Sequence, residues 1–198
     1  QIKVSFSADE IINGPSVTIS DNDATVSNTE SFNWVATYIM TESDAEGNVQ
    51  FQISSYTDIR GNPADGTSST SDGSQVIFDR TKPILDVVEF STNNIWNQYW
   101  AKSGEQGTLT INASEGLLDL QYTLNSISVT ENWISASVIT HDYPFTSSDQ
   151  EGMVQFEIIY SDSSGNQGDT VIATTDNSYI IFDDTSPSDF TVGDVVST

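Results

Sequence analysis

The sequence predicts an all-β chain made of two β-sandwiches in tandem. Three observations carry this. Short runs alternate apolar and polar residues along nearly the whole chain, which is the period of a half-buried strand. Thr, Val, Ile and aromatics fill these runs, and Gly, Asn, Asp, Ser or Pro close them. Finally, the chain repeats itself at a spacing of about 104 residues. GNVQF (Gly47–Phe51) is answered by GMVQF (Gly152–Phe156), YTDIRGN (Tyr56–Asn62) by YSDSSGN (Tyr160–Asn166), and VIFDRTKP (Val76–Pro83) by IIFDDTSP (Ile180–Pro187). Landmarks recurring in one order mark a tandem array, and such arrays act through length, spacing and multivalency.

In chain order, alternation places strands at Lys3–Ala8, Ser16–Ser20, Asn33–Met40 and Asn48–Ser54 in the first copy. In the second it places them at Thr108–Ala113, Leu120–Leu124, Ser126–Thr130, Ser135–Thr140 and Met153–Tyr160. No helical stripe appears. Trp34 is matched to Trp133, which puts about six extra residues into the second copy around His141–Thr146. After Pro83 the run ILDVVEF opens the second copy, and after Pro187 the run SDFTVGDVVST repeats that opening strand. The first copy shows no counterpart to it. The expected domains are therefore 1–82, lacking an opening strand, and 83–187, followed by a strand-like tail at 188–198. A missing strand leaves a sheet edge and a groove that a neighbouring molecule's tail can fill; the alternative is that the ends of the piece merely fray. The chain opens on Gln1 rather than Met, which reads as a piece of a longer protein with any export signal or anchor outside it.

Composition narrows the function classes. Asp and Glu number 29 against 5 Lys and Arg, for a net charge of −24. Such a field repels nucleic-acid phosphates and anionic membranes. It leaves two readings of the acids: specific divalent-cation sites, or a solubilising surface. There is no Cys, so no disulfide staples either domain, and no apolar run reaches the roughly 18 residues a membrane helix needs. No nucleophile elbow, phosphate-binding glycine loop or HExxH motif appears. No catalytic residue is assigned and the chain reads as a non-enzyme. The single histidine, His141, reads as a solvated loop residue.

The order SFSADE, NWVATYIMT, GNVQFQIS with SYTDIRGN, and VIFDRTKP resembles the immunoglobulin-like repeats of large bacterial cell-surface proteins and adhesins. The second copy, TINASEG, WISASVIT, GMVQFEIIYSDSSGN and IIFDDTSP, is similar to the same repeats. The resemblance implies two tandem immunoglobulin-like β-sandwich domains, an extracellular or cell-surface address and a stalk or adhesive role. Its implied partners are neighbouring repeats or copies of itself. The segment Ser91–Gly107 departs from the pattern as an insertion.

In such a sandwich, three loops meet at one pole. For the second copy they gather Asp79, Glu115, Asp162 and Asn166, a hard oxygen set suited to Ca2+. The first-copy equivalents are Glu10, Asp58 and Asn62, while Asp183 and Asp184 would serve a following unit. Against this, Asp and Asn in D-x-x-G-N are ordinary turn formers. Asp21 and Asp23 read as a plain acidic turn before a peripheral cation site. In the insertion, Trp96, Tyr99 and Trp100 lie among Asn93, Asn94, Asn97 and Gln98. Flat rings stack on sugars and amides bond hydroxyls, which makes a glycan-binding platform the competing function. The alternative is that Trp96 and Trp100 tuck beneath the loop or pack on a neighbouring domain. Trp34 and Trp133 are expected in the cores.

Overall fold

The structure is a computed structural model. It describes residues 1–125, 127–134, 138–193 and 196, and within 127–134 the side chains of 127 and 128 only. The described residues are all-β with no helix. They divide into two compact units, Gln1–Arg80 and Thr81–Thr198.

The first unit contains β1 (Ile2–Ser7), β2 (Val17–Ile19), β3 (Asn22–Asp23), β4 (Thr25–Glu30), β5 (Asn33–Tyr38), β6 (Gly47–Asn48), β7 (Phe51–Ile53), β8 (Tyr56–Thr57), β9 (Pro63–Ala64) and β10 (Ile77–Phe78). One sheet runs β1-β5-β4 and the facing sheet β3-β2-β7. Val17, Ile19, Ala36 and Ile53 are buried between them, with Val4, Phe6, Val26 and Phe51 half-buried around the rim. β2 turns into β3 through Ser20 and Asp21, both at positive φ (49° and 62°). That is the two-residue turn whose twist suits a hairpin, so the acidic SDND segment is spent on a turn.

The second unit contains β11 (Leu85–Thr92), β12 (Trp100–Ala101), β13 (Gln106–Ala113), β14 (Leu117–Leu124), β15 (Ile127–Ile134), β16 (Val138–Pro144), β17 (Gly152–Met153), β18 (Phe156–Asp162) and β19 (Ile181–Phe182). Sheet β11-β13-β16 faces sheet β15-β14-β18, and β12-β19-β17 closes one edge. Strict alternation along β13 buries Gly107, Leu109, Ile111 and Ala113. They meet Leu120, Tyr122, Leu124 and Ile158 from the other sheet. This core is far larger than the first: nineteen buried apolar residues against four among the described residues.

Strand pairing resets one expectation. Phe6 lies opposite Trp34 in the first unit, and Ile111 opposite Ile139 in the second. The counterpart of Trp34 is therefore Ile139, not Trp133, and no extra residues separate the copies at His141–Thr146. The offset stays at 105 because a corner absent from the landmark set above holds it. Thr41-Glu42-Ser43-Asp44 and Thr146-Ser147-Ser148-Asp149 make one bond pattern. The Asp accepts the Thr N–H (2.6 and 2.7 Å) and the Thr hydroxyl (3.0 Å in both). Tyr38 and Tyr143 each donate their hydroxyl to that Asp. The Thr41 N–H is the main cause holding Asp44 below its ordinary range. Burial, then the bond to Asp149, pushes Tyr143 up to about 12. His141 is not a solvated loop residue. It sits in β16 opposite Leu109, half-buried, with its ring edge-on to Tyr122 at 4.8 Å. The Trp133 side chain lies outside the described residues. Trp34 is half-buried against Gly14.

Candidate functional site

The recurring D-x-x-G-N loop builds the same carboxylate nest twice. In the second unit β18 ends at Asp162, which is fully buried (0% exposed). Its Oδ1 accepts the N–H groups of Ser164 (2.8 Å) and Asn166 (2.9 Å), and its Oδ2 accepts the Asn166 side-chain amide (2.8 Å). In the first unit Asp58 Oδ1 accepts the N–H groups of Arg60 (2.7 Å) and Asn62 (2.8 Å), and Oδ2 accepts the Asn62 amide (2.6 Å). Gly61 and Gly165 close the turns at φ of 88° and 89°, a region that suits Gly. These bonds, with the Asn62 side chain first, hold the Asp58 carboxyl below its ordinary range, because they favour the charged form.

In the second unit a further carboxylate lies beside the nest. Leu117 pairs with Asp162, which brings the preceding Glu115 close, and carboxylate oxygens of Glu115 and Asp162 lie within 4.8 Å of one another. The chain entering this unit is pinned alongside: Ser114 N–H donates to the Ile84 carbonyl (2.8 Å), and Ile84 N–H to Ser114 Oγ (3.0 Å). Asp79 closes the first unit just after β10. Glu10 is exposed ahead of Ile12, which bridges Asp58. Among the described residues Glu10 and Asp58 join no group of three metal-ligating side chains. Asp183 accepts the Thr185 N–H (3.1 Å), and Asp184 accepts the N–H and hydroxyl of Ser103 (3.0 and 2.8 Å).

The aromatic insertion is a built loop. Asn94 Oδ1 accepts the N–H groups of Trp96 (2.8 Å) and Asn97 (3.0 Å), and Asn97 Oδ1 accepts that of Tyr99 (3.0 Å). Asn93 Oδ1 accepts the Gln106 N–H (2.8 Å), and Asn94 donates to Glu105 (3.0 Å). These amides hold the loop. Below the tip, β12 runs parallel to β19, with Trp100 beside Ile181. Tyr99 stacks on Tyr179, centroids 5.1 Å apart and planes 18° from parallel. Sequence reasoning missed Tyr179, which lies outside the insertion and reaches it only through β19. Trp96 is not tucked away: it is 88% exposed at the tip, and Trp100 is partly exposed.

No helix among the described residues is long and apolar enough to cross a membrane. No protein-family model and no curated protein matches the chain. Among solved structures it is similar to one described as fibronectin(III)-like modules of Clostridium thermocellum CbhA. There the identity is 10% and the TM-score 0.37, covering 91% of this chain and 84% of that one. It is also similar to a Bacteroides ovatus surface protein, SGBP-B of a mixed-linkage glucan utilization locus, solved with a mixed-linkage heptasaccharide. Here the identity is 17% and the TM-score 0.25, covering 92% of this chain and 42% of that one. At these values no residue role carries across. The described residues themselves are all-β and form two compact units, each with facing sheets.

Proposed function

We propose that the chain is a non-enzymatic structural module of an extracellular repeat array, a stalk or filament segment joined to its neighbours end to end and by strand exchange. One observation carries this reading. The three buried acids among the described residues, Asp44, Asp58 and Asp162, are all bonded into corners and loops, and these bond sets recur from one unit to the other. Buried carboxylates spent on holding a repeated scaffold serve stiffness rather than chemistry.

Calcium is the proposed stiffener. Each oxygen bound to one Ca2+ lies about 2.3–2.6 Å from it, so two ligand oxygens stand up to about 5 Å apart. Glu115 and Asp162 meet that limit. Asn166 is the further proposed ligand. Glu10, Asp58 and Asn62 in the first unit, and Asp183 toward a following one, are the weaker positions. Calcium at a hundredfold excess over its Kd stabilises a folded unit by about 2.7 kcal/mol. Scanning calorimetry of the chain with Ca2+ and then with chelator is expected to show the second unit melting several degrees lower without the ion. Glu115→Gln is expected to remove the difference. Identical traces with and without calcium would contradict the calcium assignment.

The exposed Trp96 favours a second reading, a glycan platform formed by Trp96, Trp100 and the Tyr99–Tyr179 stack, since flat rings offer large apolar faces. Trp96→Ala is expected to leave the melting temperature unchanged, because the ring packs on little. Loss of retention on immobilised β-glucan in that variant would support the platform. Equal retention of variant and parent, or none in either, would remove it.

A further inference from the structure

One short segment recurs at the same place in both units and carries a glutamate near its end. Thr41–Gly47 reads TESDAEG and Thr146–Gly152 reads TSSDQEG, so both fit T-x-S-D-x-E-G. The Thr and the Asp make the corner described above. Three residues past each Asp, Gly47 and Gly152 stand at φ of 112° and 118°, a conformation that suits Gly. Each Gly pairs with the Phe of the F-D-x-T-x-P landmark: Gly47 with Phe78, and Gly152 with Phe182. The turn thereby sets Glu46 and Glu151 beside the residues that follow that Phe.

Both glutamates hold the chain just past the last described strand of their own unit, β10 or β19. Glu46 Oε1 accepts the Arg80 N–H (2.8 Å) and lies 3.4 Å from the Arg80 Nε. Glu151 Oε1 accepts the Asp184 N–H (3.1 Å) and the Thr185 hydroxyl (2.6 Å). Arg80 and Asp184 are the same position of the landmark, two residues past its Phe. Hydrogen bonds to an ionised carboxylate are stronger than neutral ones. In the second unit the neighbouring residues are tied as well. Asp183 N–H donates to the Ala101 carbonyl (2.9 Å), and the Asp183 carboxylate accepts the Thr185 N–H (3.1 Å). The Pro that ends the landmark, Pro83 or Pro187, fixes its own φ and restricts the residue before it.

We propose that Glu46 and Glu151 are positioning residues, each a latch that fixes the heading of the chain as it leaves its sandwich. T-x-S-D-x-E-G and F-D-x-T-x-P are then two halves of one device. The corner sets the glutamate, and the glutamate sets the exit. The use of the latch rests on the array reading above: it gives each unit a stiff exit arm with no ion bound.

The test is 15N relaxation on the full chain in chelator, for the parent, Glu151→Ala and Glu151→Gln. Glu151 is exposed and makes none of the corner's bonds, so the variants keep their fold, which the amides of β13 check. In the parent the Asp184 and Thr185 amides are expected to be as ordered as β13, with order parameters near about 0.85. Glu151→Ala is expected to drop both below about 0.6 and to leave β13 unchanged. Glu151→Gln keeps an acceptor oxygen and is expected to stay near the parent. In the first unit Glu46→Ala is expected to loosen the Arg80 amide in the same way. Parent amides that are already mobile in chelator overturn the proposal. So do Ala variants whose exit amides stay rigid, or a Gln variant as loose as the Ala one. No ion takes part in this measurement, so a latch that fails here leaves the array reading to the calcium melting test above.

Discussion

Phe90→Ala is expected to lower the stability of the second unit by about 3–5 kcal/mol, the usual cost of emptying a phenylalanine site in a packed core. Phe90 points inward from β11, is buried, and meets Phe156 edge-on with centroids 6.1 Å apart. The backbone bond from Phe90 to Ser178 survives the substitution, so the loss reports side-chain packing alone. Residues around the site sit on two sheets and cannot collapse together without breaking the pairing of β11 with β13. Leu118→Ala is the control. Leu118 is exposed on the outer face of β14 and its loss is expected to stay within about 0.5 kcal/mol. Denaturant unfolding of the full chain measures both. A Phe90→Ala curve overlaying the parent would mean that β11 does not complete the core.

Much of this fold is legible in the residues. β13 and β18 alternate cleanly, and β14 does from Leu120 onward past its bulge at Leu117–Asp119, because one face of each lies on the core. β4 is not legible. It pairs along β5 but buries almost nothing, with Val26 half-covered and its neighbours exposed, so it carries no alternation to read. Matching Trp34 to Trp133 fails for a related reason. Identity of a large residue is a weaker marker than register, and register here is fixed by the Thr-x-Ser-Asp corner, whose polar residues look like loop filler. The acidic loops were legible as recurring features. Their geometry was not, because the sequence cannot show that the Asp162 carboxylate takes its hydrogen bonds from its own loop. The insertion's composition likewise fits a buried or an outward Trp96. Only the Asn94 and Asn97 turns, which support the tip from below, decide for outward.

The most direct test of the account is amide hydrogen exchange read residue by residue along β1. Exchange of an edge strand is set by which side each N–H faces, since a bonded amide waits for opening and an unbonded one does not. Lys3, Ser5 and Ser7, whose N–H groups face away from β5, are expected to exchange orders of magnitude faster than Val4 and Phe6, which face β5. In the second unit Thr108, Thr110 and Asn112, the counterparts of those three, face β11 and are expected to be protected along with their neighbours. Alternating protection in β1 and even protection in β13 is the result predicted. Even protection along β1 would contradict the pairing of β1 with β5 alone among the described residues.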